Sequence, residues 1–371
     1  MRVLIVSHYV LPHVGGVEHL VDMEARALAE AGHAVLIVAS DGLGAGESPH
    51  YPQSIRIYRV AAWHGLEYHW HVPYPVFSQR LWGILRKAVR WADVVHAHGF
   101  LFQGTPLALW WARRLGKPSI LTDHGGVQRF ASVGKRILAH TGAMTLGRLS
   151  CRWADDLVAY NARVLALLER LGGKPARFVP NPVERARFRP PTPQERLAAR
   201  RSLGWTDSRP RLLFVGRLVP EKGVATLLQL RCQEWEIVFC GPGSRVWGGT
   251  WGQPGVQYLP PRPQSELVSL YHAADVLVLP SAVREGFPLV AQEALACGLP
   301  VVLGEDPGFA PYRDWPGLYL TPPDPRSFAD AVRRALSNGS PVNHPDFAVA
   351  LQRFCPQPQH WLAQLYGCRL R

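Results

Sequence analysis

The sequence predicts an α/β protein with two domains, each built on a parallel sheet. The chain has 371 residues, which at about 100–200 residues per domain corresponds to two domains. Short apolar runs alternate with amphipathic helical segments in both halves, a pattern typical of parallel strands covered by helices. A stretch rich in proline and arginine, Val179–Pro193, lies between the halves without periodicity, as expected of a linker.

In the N-terminal half, apolar runs of strand length predict strands, and apolar residues at helical spacing predict helices. The predicted strands are Val3–Val6, Ala34–Ala39, Val94–Ala97, Ser119–Thr122 and Leu157–Tyr160. The predicted helices are Val17–Ala31, Phe77–Arg90, Thr105–Leu115 and Ala162–Leu171.

The same alternation restarts in the C-terminal half. The predicted strands there are Arg211–Val215, Glu236–Cys240, Val276–Leu279 and Val301–Leu303, and the predicted helices are Val224–Arg231, Gln264–Ala273, Pro288–Ala296 and Ser327–Ser337. We therefore expect a first domain at 1–180, a linker at 181–210, a second domain at 211–345 and a tail at 346–371. Because open parallel sheets bind ligands at the carboxyl ends of their strands, two such domains facing each other are expected to enclose a cleft.

Composition excludes several classes of protein. Hydrophobic residues make up 47% of the chain and charged residues 19%, which excludes general disorder. No apolar run approaches the ~20 residues that span a bilayer, and the first residues do not resemble a signal peptide. The six cysteines show no metal-binding spacing, so we expect reduced thiols in a cytoplasmic protein.

The charge is strongly basic, at +13 for the chain and +8 for residues 1–180. Such a surplus suits nucleic acid, anionic lipid or a phosphorylated substrate, and composition does not choose among them. A basic nucleic-acid-binding protein is therefore one alternative function. It is disfavoured because no nucleic-acid-binding module is recognisable and the basic residues are spread over both halves.

Two glycine-containing turns occupy equivalent places in the two halves. Gly15 and Gly16 follow the first strand and open a helix, where the absence of Cβ atoms lets backbone amides approach a phosphate or a sugar. A tight turn between strand and helix is the alternative. In the second half, Gly216 ends a strand, and the cations Arg217 and Lys222 flank the turn that follows. Two such cations can neutralise a diphosphate, although a solvated loop is the alternative.

The most specific segment is 280–302, in which a strand leads to a loop with Glu285 and then to a helix with Glu293. Both carboxylates can point into one cleft and accept hydrogen bonds from vicinal hydroxyls, which suits a sugar and a ribose. The helix N-terminus between them would face a diphosphate. Taken alone, Glu293 could also be an ordinary carboxylate on a helix surface.

These motifs, in this order and spacing, resemble the retaining nucleotide-sugar glycosyltransferases of family 4 (glycosyl transferases group 1), which have the GT-B fold of two Rossmann-like domains. The resemblance covers most of the chain. Further matching segments are Asp93-Val94-Val95-His96-Ala97-His98, Thr122-Asp123-His124-Gly125 and Val179-Pro180-Asn181-Pro182-Val183. It implies that the C-terminal tail returns to the N-terminal domain.

The resemblance also assigns roles. It implies that Arg217 and Lys222 bind the donor diphosphate, that Glu285 holds the hydroxyls of the donor sugar, and that Glu293 holds the ribose. His124 would line the sugar site. The donor-binding residues that it implies are Gly15, Gly16, Gly216, Gly286, Phe287, Pro288, Leu289, Glu293 and Arg262. No metal or other cofactor is expected, and no Asp-x-Asp metal motif occurs.

The acceptor side is less defined. The basic helix Gln79–Trp91 could lie on an anionic membrane, but we favour a helix that covers the sheet, and we interpret Gly134–Arg152 with the same caution. The aromatic segment His64–His71 is expected to form a wall of the acceptor site. A zinc site at His64, His69 and His71 is disfavoured, because no second ligand set accompanies it.

We therefore expect a retaining hexosyltransferase that moves a sugar from a UDP- or GDP-linked donor to a hydroxyl acceptor. The acceptor would be a sugar, a lipid-linked molecule or a polysaccharide, in the synthesis of a cell-envelope glycolipid or polysaccharide. We expect it in the cytoplasm, with the inner membrane surface as a further site of attachment. The alternatives with the same fold are a sugar-nucleotide epimerase and a phosphorylase.

Overall fold

The structure is a computed structural model that describes residues 1–13, 15–42, 49–70, 72, 74–127, 133–243, 247–281 and 286–370. The chain divides into two compact units. Unit 1 contains residues 1–182 and 357–371, and unit 2 contains residues 183–356.

Unit 1 is built on a parallel sheet. Its strands are β1 (Arg2–Val6), β2 (Ala34–Ser40), β3 (Ile55–Val60), β4 (Ala62–Trp63), β5 (Val76–Phe77), β6 (Val94–His98), β7 (Ser119–Asp123), β8 (Asp156–Ala159) and β9 (Arg177–Phe178). The sheet has the order β3-β2-β1-β6-β7-β8-β9, and β4 pairs with β5 in a separate antiparallel ribbon. The order reverses between β1 and β6, and ligands of open α/β sheets bind at such a switch point.

The helices between residues 16 and 172 of this unit are α1 (Gly16–Glu30), α2 (Gly65–Trp70), α3 (Arg80–Trp91), α4 (Gly104–Arg114), α5 (Val133–Gly142), α6 (Arg148–Trp153) and α7 (Ala162–Gly172). A π-helical turn, Ala143–Gly147, joins α5 to α6. The Asn161 side chain caps α7 by accepting from the Val164 amide, and Gly173 ends it in the left-handed conformation.

Unit 2 repeats the architecture. Its strands are β10 (Arg211–Val215), β11 (Glu236–Cys240), β12 (Val256–Leu259), β13 (Val276–Leu279), β14 (Val301–Gly304) and β15 (Leu318–Thr321), in the sheet order β12-β11-β10-β13-β14-β15. All of the pairings in this sheet are parallel. The order reverses between β10 and β13, so this sheet also has a switch point.

The helices of unit 2 are α8 (Pro193–Ser202), α9 (Val224–Gln229), α10 (Gln264–Ala273), α11 (Leu289–Ala296), α12 (Pro325–Asn338) and α13 (Phe347–Phe354). The helix α8 lies within the segment 181–210, which the sequence predicted as a linker. Its start is fixed by a capping box, in which Thr192 and Glu195 each bond the other's backbone amide, with a proline at the first helical position.

The last helix, α14 (Pro358–Tyr366), belongs to unit 1. Its buried residues Trp361, Leu362, Leu365 and Tyr366 join the apolar cluster that contains Val3 and Ile5 of β1 and Val21 of α1. Burial of such side chains contributes about 25 cal/mol per Å² of apolar surface. The helix α14 therefore completes the core on one face of the β1 sheet.

Candidate active site

The carboxyl ends of β1, β6 and β7 bring four polar residues of unit 1 to one edge of the sheet. His8 follows β1, His98 ends β6, Asp123 ends β7 and His124 follows it. Asp123 is buried and accepts hydrogen bonds from the amides of Gly126 (2.6 Å) and Phe100 (3.2 Å), which fixes the loop that carries His124. These residues surround the switch point of the unit 1 sheet.

His124 is the first member of a buried polar chain. Its Nε2 lies 3.0 Å from His98 Nδ1, and His98 Nε2 lies 3.0 Å from Glu24 Oε2 on α1. Burial lowers the pKa of both imidazoles, so both are neutral at pH 7. Because His98 Nε2 faces the Glu24 carboxylate, the imidazole proton is favoured on Nε2, and Nδ1 is left to accept from His124 Nε2. His124 therefore keeps the lone pair on Nδ1.

Glu24 also accepts hydrogen bonds from two other buried side chains. Its Oε1 accepts from His96 Nδ1 at 2.6 Å and from the Tyr366 hydroxyl, and His96 Nε2 lies 2.7 Å from Thr122 Oγ1. Although burial raises the pKa of Glu24, the imidazoles of His96 and His98 hold it well below its usual value. In the described part of the chain, Glu24, His96 and His98 are the group whose ligand atoms lie close enough together for a metal ion. Each of these residues already faces polar partners, so the cluster forms a hydrogen-bonded network as it stands.

Among the described residues, Nδ1 of His8 and Nδ1 of His124 are imidazole nitrogens at this edge that have no hydrogen-bond partner. Burial lowers the pKa of His8 to about 4, and its ring stacks on Phe102 at a centroid distance of 3.7 Å. Because buried polar atoms are rarely left unpaired, this edge is suited to a ligand that supplies hydroxyl groups.

The predicted glycine pair begins α1. Gly15 is the N-cap residue in extended conformation, and Gly16 is the first helical residue. A Cβ atom on Gly15 would lie 2.3 Å from Oε2 of Glu18, so the carboxylate folds back against this glycine. His13 Nδ1 contacts Glu18 Oε1 at 2.7 Å, and its Nε2 contacts Glu67 Oε1 at 3.0 Å. An imidazolium between two carboxylates therefore holds this turn in place.

This bridge predicts a pH-dependent stability. Burial lowers the pKa of His13, but the hydrogen bonds to Glu18 and Glu67 raise it further, so the pKa lies above its ordinary value. Its stabilisation is therefore complete below pH ~6.5 and is lost as pH rises through the raised pKa. We expect His13→Gln to cost about 2 kcal/mol of unfolding free energy in acid, and less at alkaline pH. Urea unfolding of both proteins across this range measures the difference, and a loss independent of pH would contradict the bridge.

In unit 2, glycines let the loops at the carboxyl ends of the strands approach closely. Gly223 has φ +78° and Gly241 has φ +151°. A Cβ atom would lie 2.2 Å from the Pro280 carbonyl oxygen at Gly223 and 1.9 Å from the Gly216 carbonyl oxygen at Gly241. The loops after β10, β11 and β13 therefore pack backbone to backbone, and only glycine fits at these contacts.

The two predicted phosphate-binding cations lie in the loop after β10. Arg217 is exposed, and Lys222 is half-buried at the end of a 3₁₀ turn, Pro220–Lys222. The Leu218 amide between them donates to the Pro242 carbonyl at 2.7 Å, which ties this loop to the one after β11. The cations thus follow β10, one of the two strands at the switch point.

Glu293 lies in α11 and is buried, which contradicts the alternative of a surface carboxylate. The Tyr271 hydroxyl donates to its Oε2 at 2.8 Å, and the Gln264 amide donates to its Oε1. Burial raises the pKa of Glu293 to about 7, although both hydrogen bonds oppose this shift. The carboxylate is thus positioned from two sides by α10, and each oxygen retains capacity for a hydroxyl donor.

The remaining predicted donor residues lie at the same edge of the unit 2 sheet. Gly286 and Phe287 precede α11, Pro288 is its N-cap and Leu289 is its first residue. The Phe287 ring is buried against Tyr312, so its backbone rather than its ring is available to a ligand. Arg262 follows β12, with its Nη1 3.9 Å from Glu266. Glu285 lies outside the described residues.

Two segments expected on the acceptor side are the basic helix, which is α3, and the aromatic segment His64–His71. The helix α3 buries Leu81, Leu85 and Val89 in the unit 1 core, as expected of a helix that covers the sheet. In the aromatic segment, His64 bonds Asp41 at 2.9 Å and Tyr9 at 3.3 Å rather than its neighbouring histidines. His71 lies outside the described residues.

Sequence reasoning missed Glu24, His8, His13 and Glu67 as parts of the site. His13 and Glu67 are 54 residues apart, so no local pattern could pair them. For Glu24 a signal existed, because it interrupts the apolar face of α1 and is buried with Leu20, Val21 and Leu28.

Family models match both units. The model described as Glycosyltransferase Family 4 matches residues 14–187, and the model described as Glycosyl transferases group 1 matches residues 195–346. No helix in the described ranges combines the length and apolar character required to cross a bilayer.

Curated relatives and solved structures agree with these matches. The chain is 31% identical over 280 residues to a D-inositol 3-phosphate glycosyltransferase of Acidothermus cellulolyticus, covering 67% of this chain and 60% of that relative. It is 31% identical over 305 residues to a GDP-mannose-dependent alpha-mannosyltransferase of Mycobacterium tuberculosis, covering 81% and 78%. The structure of Anabaena HepE in complex with UDP matches with a TM-score of 0.75 and 17% identity, covering 98% and 99%. This likeness confirms the predicted fold, with a Rossmann-like parallel sheet in each unit. The chain spans less than two thirds of the length of the D-inositol 3-phosphate glycosyltransferase.

Proposed function

Because the chain belongs to glycosyltransferase family 4, we propose that it transfers a sugar from a nucleotide diphosphate sugar to a hydroxyl group of an acceptor, with retention of configuration. The observation that carries the proposal is the edge of the unit 2 sheet at its switch point. There the loop of Arg217 and Lys222 follows β10, and the N-terminus of α11 follows β13. Cations and helix amides at one switch point are suited to a diphosphate.

In this proposal unit 2 binds the donor. Arg217 and Lys222 stabilise the negative charge that develops on the leaving diphosphate, which is the main catalytic contribution of such a site. Glu293 accepts hydrogen bonds from the ribose, and the backbone of 286–289 approaches the diphosphate. Glu285 is proposed to hold the hydroxyls of the donor sugar. The named substrates of the relatives and of HepE support a GDP- or UDP-linked donor.

Unit 1 contributes the groups that contact the sugar. The Nδ1 lone pair of His124 accepts a sugar hydroxyl, and the chain through His98 to Glu24 keeps this imidazole in the required tautomer. Gly15 and Gly16 place the first amides of α1 near the diphosphate and sugar. During transfer the C1–oxygen bond to the diphosphate breaks with both electrons leaving on oxygen. The acceptor oxygen bonds C1 on the same face, and its proton passes to the leaving oxygen.

We propose that transfer needs no metal or other cofactor, because the cations of unit 2 can balance the charge of the leaving group. Treatment with a chelator is therefore expected to leave turnover unchanged within about twofold. Turnover is measured as nucleotide release before and after chelation and again after Mg²⁺ or Mn²⁺ is added. A tenfold loss of turnover that added Mg²⁺ or Mn²⁺ reverses would contradict the proposal. It would show that the cations of unit 2 do not balance the charge of the leaving group without a metal.

The direct test is a panel of nucleotide diphosphates and nucleotide sugars in thermal-shift assays. A ligand that binds only the folded protein raises its melting temperature by mass action. We expect one base, UDP or GDP, to give the larger shift, and its sugar conjugate to release nucleotide when an acceptor is added. If no nucleotide shifts the melting temperature, the proposed function is wrong.

We propose a role in cell-envelope glycolipid or polysaccharide synthesis, on the cytoplasmic side of the membrane.

A further inference from the structure

Unit 1 contains an apolar cavity that the donor chemistry does not use. Its volume is about 420 Å³, within the range of about 300–1,000 Å³ that ligand pockets have. It is lined mainly by aliphatic and aromatic side chains and by glycines, with Asp123 and Lys135 as the charged residues. The apolar side chains of its lining include Tyr74, Phe102, Leu138, Ala139 and Leu146.

The cavity adjoins the residue proposed to contact the sugar. Asp123 and Gly126, which flank His124 in the loop after β7, are both part of its lining. An aromatic wall leads to the same edge, because Tyr74 stacks on Phe102 at 5.5 Å and Phe102 stacks on His8 at 3.7 Å. A molecule that fills the cavity can therefore present a polar end to His8 and His124.

The helical segment 133–149 over the cavity exposes apolar side chains. No residue of α5 is buried, and Ile137 and Leu138 are 62% and 71% exposed. The other exposed large apolar residues of the segment are Val133, Met144, Leu146 and Leu149. Leu138 and Leu146 both line the cavity and reach solvent, so the apolar lining is continuous with the exposed face. This contrasts with α3, whose apolar face is buried in the core.

The charged side chains of this helical segment are all cationic. The described stretch 133–154 contains four cationic side chains and no acidic one. Among the described residues of this stretch, Arg136 and Arg148 are exposed beside the apolar side chains. Apolar residues flanked by cations are the combination that binds an anionic lipid surface, because the chains meet the apolar face and the headgroups meet the cations.

We propose that this cavity binds the apolar chain of an anionic lipid acceptor, which the enzyme takes from a bilayer through the exposed face of α5. The proposal rests on the proposed function and specifies its acceptor. The lipid chain occupies the cavity, the bilayer contacts Ile137 and Leu138, and the acceptor hydroxyl reaches Nδ1 of His8 beside the sugar site. The acidic headgroup lies among the cations of the segment.

Two variants test the proposal separately from the donor site. Leu138→Glu adds a negative charge to the exposed apolar face, and Ala139→Phe fills the cavity. Val349→Glu in unit 2 is the matched control, since Val349 is 65% exposed and outside the segment. Vesicles of equal parts phosphatidylcholine and phosphatidylglycerol, and vesicles of phosphatidylcholine alone, are the surface probes. Dodecyl phosphate and inorganic phosphate are the cavity probes.

We expect the native chain and Val349→Glu to sediment with the anionic vesicles and not with phosphatidylcholine alone. Leu138→Glu is expected to lose roughly tenfold or more of this affinity. Dodecyl phosphate should bind the native chain and bind Ala139→Phe about tenfold more weakly, while inorganic phosphate, which the donor site can also hold, should bind both proteins equally and at least tenfold more weakly than dodecyl phosphate binds the native chain.

Three results would overturn the proposal: vesicle binding unchanged by Leu138→Glu, equal binding of dodecyl and inorganic phosphate, or self-association of the native chain that Leu138→Glu abolishes. The last would identify the face as a contact between copies of the chain. Nucleotide-induced thermal shifts of both variants provide the internal reference. If these shifts persist while lipid binding fails, only the acceptor assignment is wrong, whereas their absence in the native chain contradicts the proposed function itself.

Discussion

Replacing Lys222 by alanine is expected to lower the rate of sugar transfer roughly 10²–10³-fold, because one cation that stabilises the leaving diphosphate is removed. Lys222 ends a 3₁₀ turn outside the apolar core. The free energy of unfolding should therefore fall by less than about 1 kcal/mol. Initial rates of nucleotide release and urea unfolding of the purified variant measure the two effects separately.

The loop supplies its own control for this prediction. Glu221 is adjacent to Lys222, is exposed and has the opposite charge, so Glu221→Ala is expected to leave the rate within a few-fold of the native value. Lys222→Arg keeps the charge and should recover part of the loss, since an arginine can also bind a phosphate. Near-native turnover of Lys222→Ala would remove this residue from the proposed mechanism.

Glu293→Gln is expected to keep or raise the free energy of unfolding at pH ~8 while it weakens nucleotide binding. A carboxyl whose pKa is raised to about 7 in the folded protein keeps its proton between pH ~4.5 and ~7, while the unfolded chain has lost it. The unfolded state then binds fewer protons, so stability falls as pH rises through this interval and levels off above it. At about 1.4 kcal/mol per pKa unit, the fall attributable to Glu293 is about 3 kcal/mol.

The glutamine variant lacks this ionisation. Its amide oxygen can still accept from Tyr271, and its NH₂ group can donate to Gln264 once that amide is rotated. We therefore expect Glu293→Gln to unfold with a free energy equal to or above that of the native chain at pH ~8. Nucleotide affinity should fall about tenfold, because one hydrogen-bond acceptor for the ribose is lost.

Urea unfolding between about pH 5 and pH 8, and nucleotide titration of both proteins, measure these effects. Tyr271→Phe is a useful comparison, since it keeps the carboxyl and removes one of the two hydrogen bonds that oppose the raised pKa. A Glu293→Gln variant that is less stable than the native chain at every pH, with unchanged nucleotide affinity, would show that the carboxylate has a structural role only.

Strands and helices with a clear apolar run or apolar period were predictable from sequence. Elements that depend on tertiary contacts were not. The strand β10 was predicted with its observed bounds, Arg211–Val215, because four apolar residues follow Arg211 and a glycine comes next. The edge strands β12 and β15 were missed, since their residues are only partly buried and form no long apolar run.

The candidate site divides in the same way. The glycines, Arg217, Lys222 and Glu293 were found from local motifs, and their roles remain predictions. The burial of Glu293 could not be found from the motif itself, although α11 is apolar apart from Gln292 and Glu293. The polar chain behind His124 is built from residues of β6, α1 and α14, which lie together only after folding. For Gly134–Arg152 we favoured a helix that covers the sheet with a solvated basic face, and for α5 this was wrong, because none of its residues is buried.

The position of α14 has a consequence for biosynthesis. The Tyr366 hydroxyl bonds Glu24, and Trp361 and Leu365 pack with strand β1 in unit 1. A ribosome produces residues 1–182 long before it reaches this helix, and domains generally fold in the order of their synthesis. During that interval the apolar surface that α14 will cover is exposed, and Glu24 lacks one donor. The second unit can finish folding while the first still waits for its last helix, so unit 1 exposes apolar surface until synthesis is almost complete.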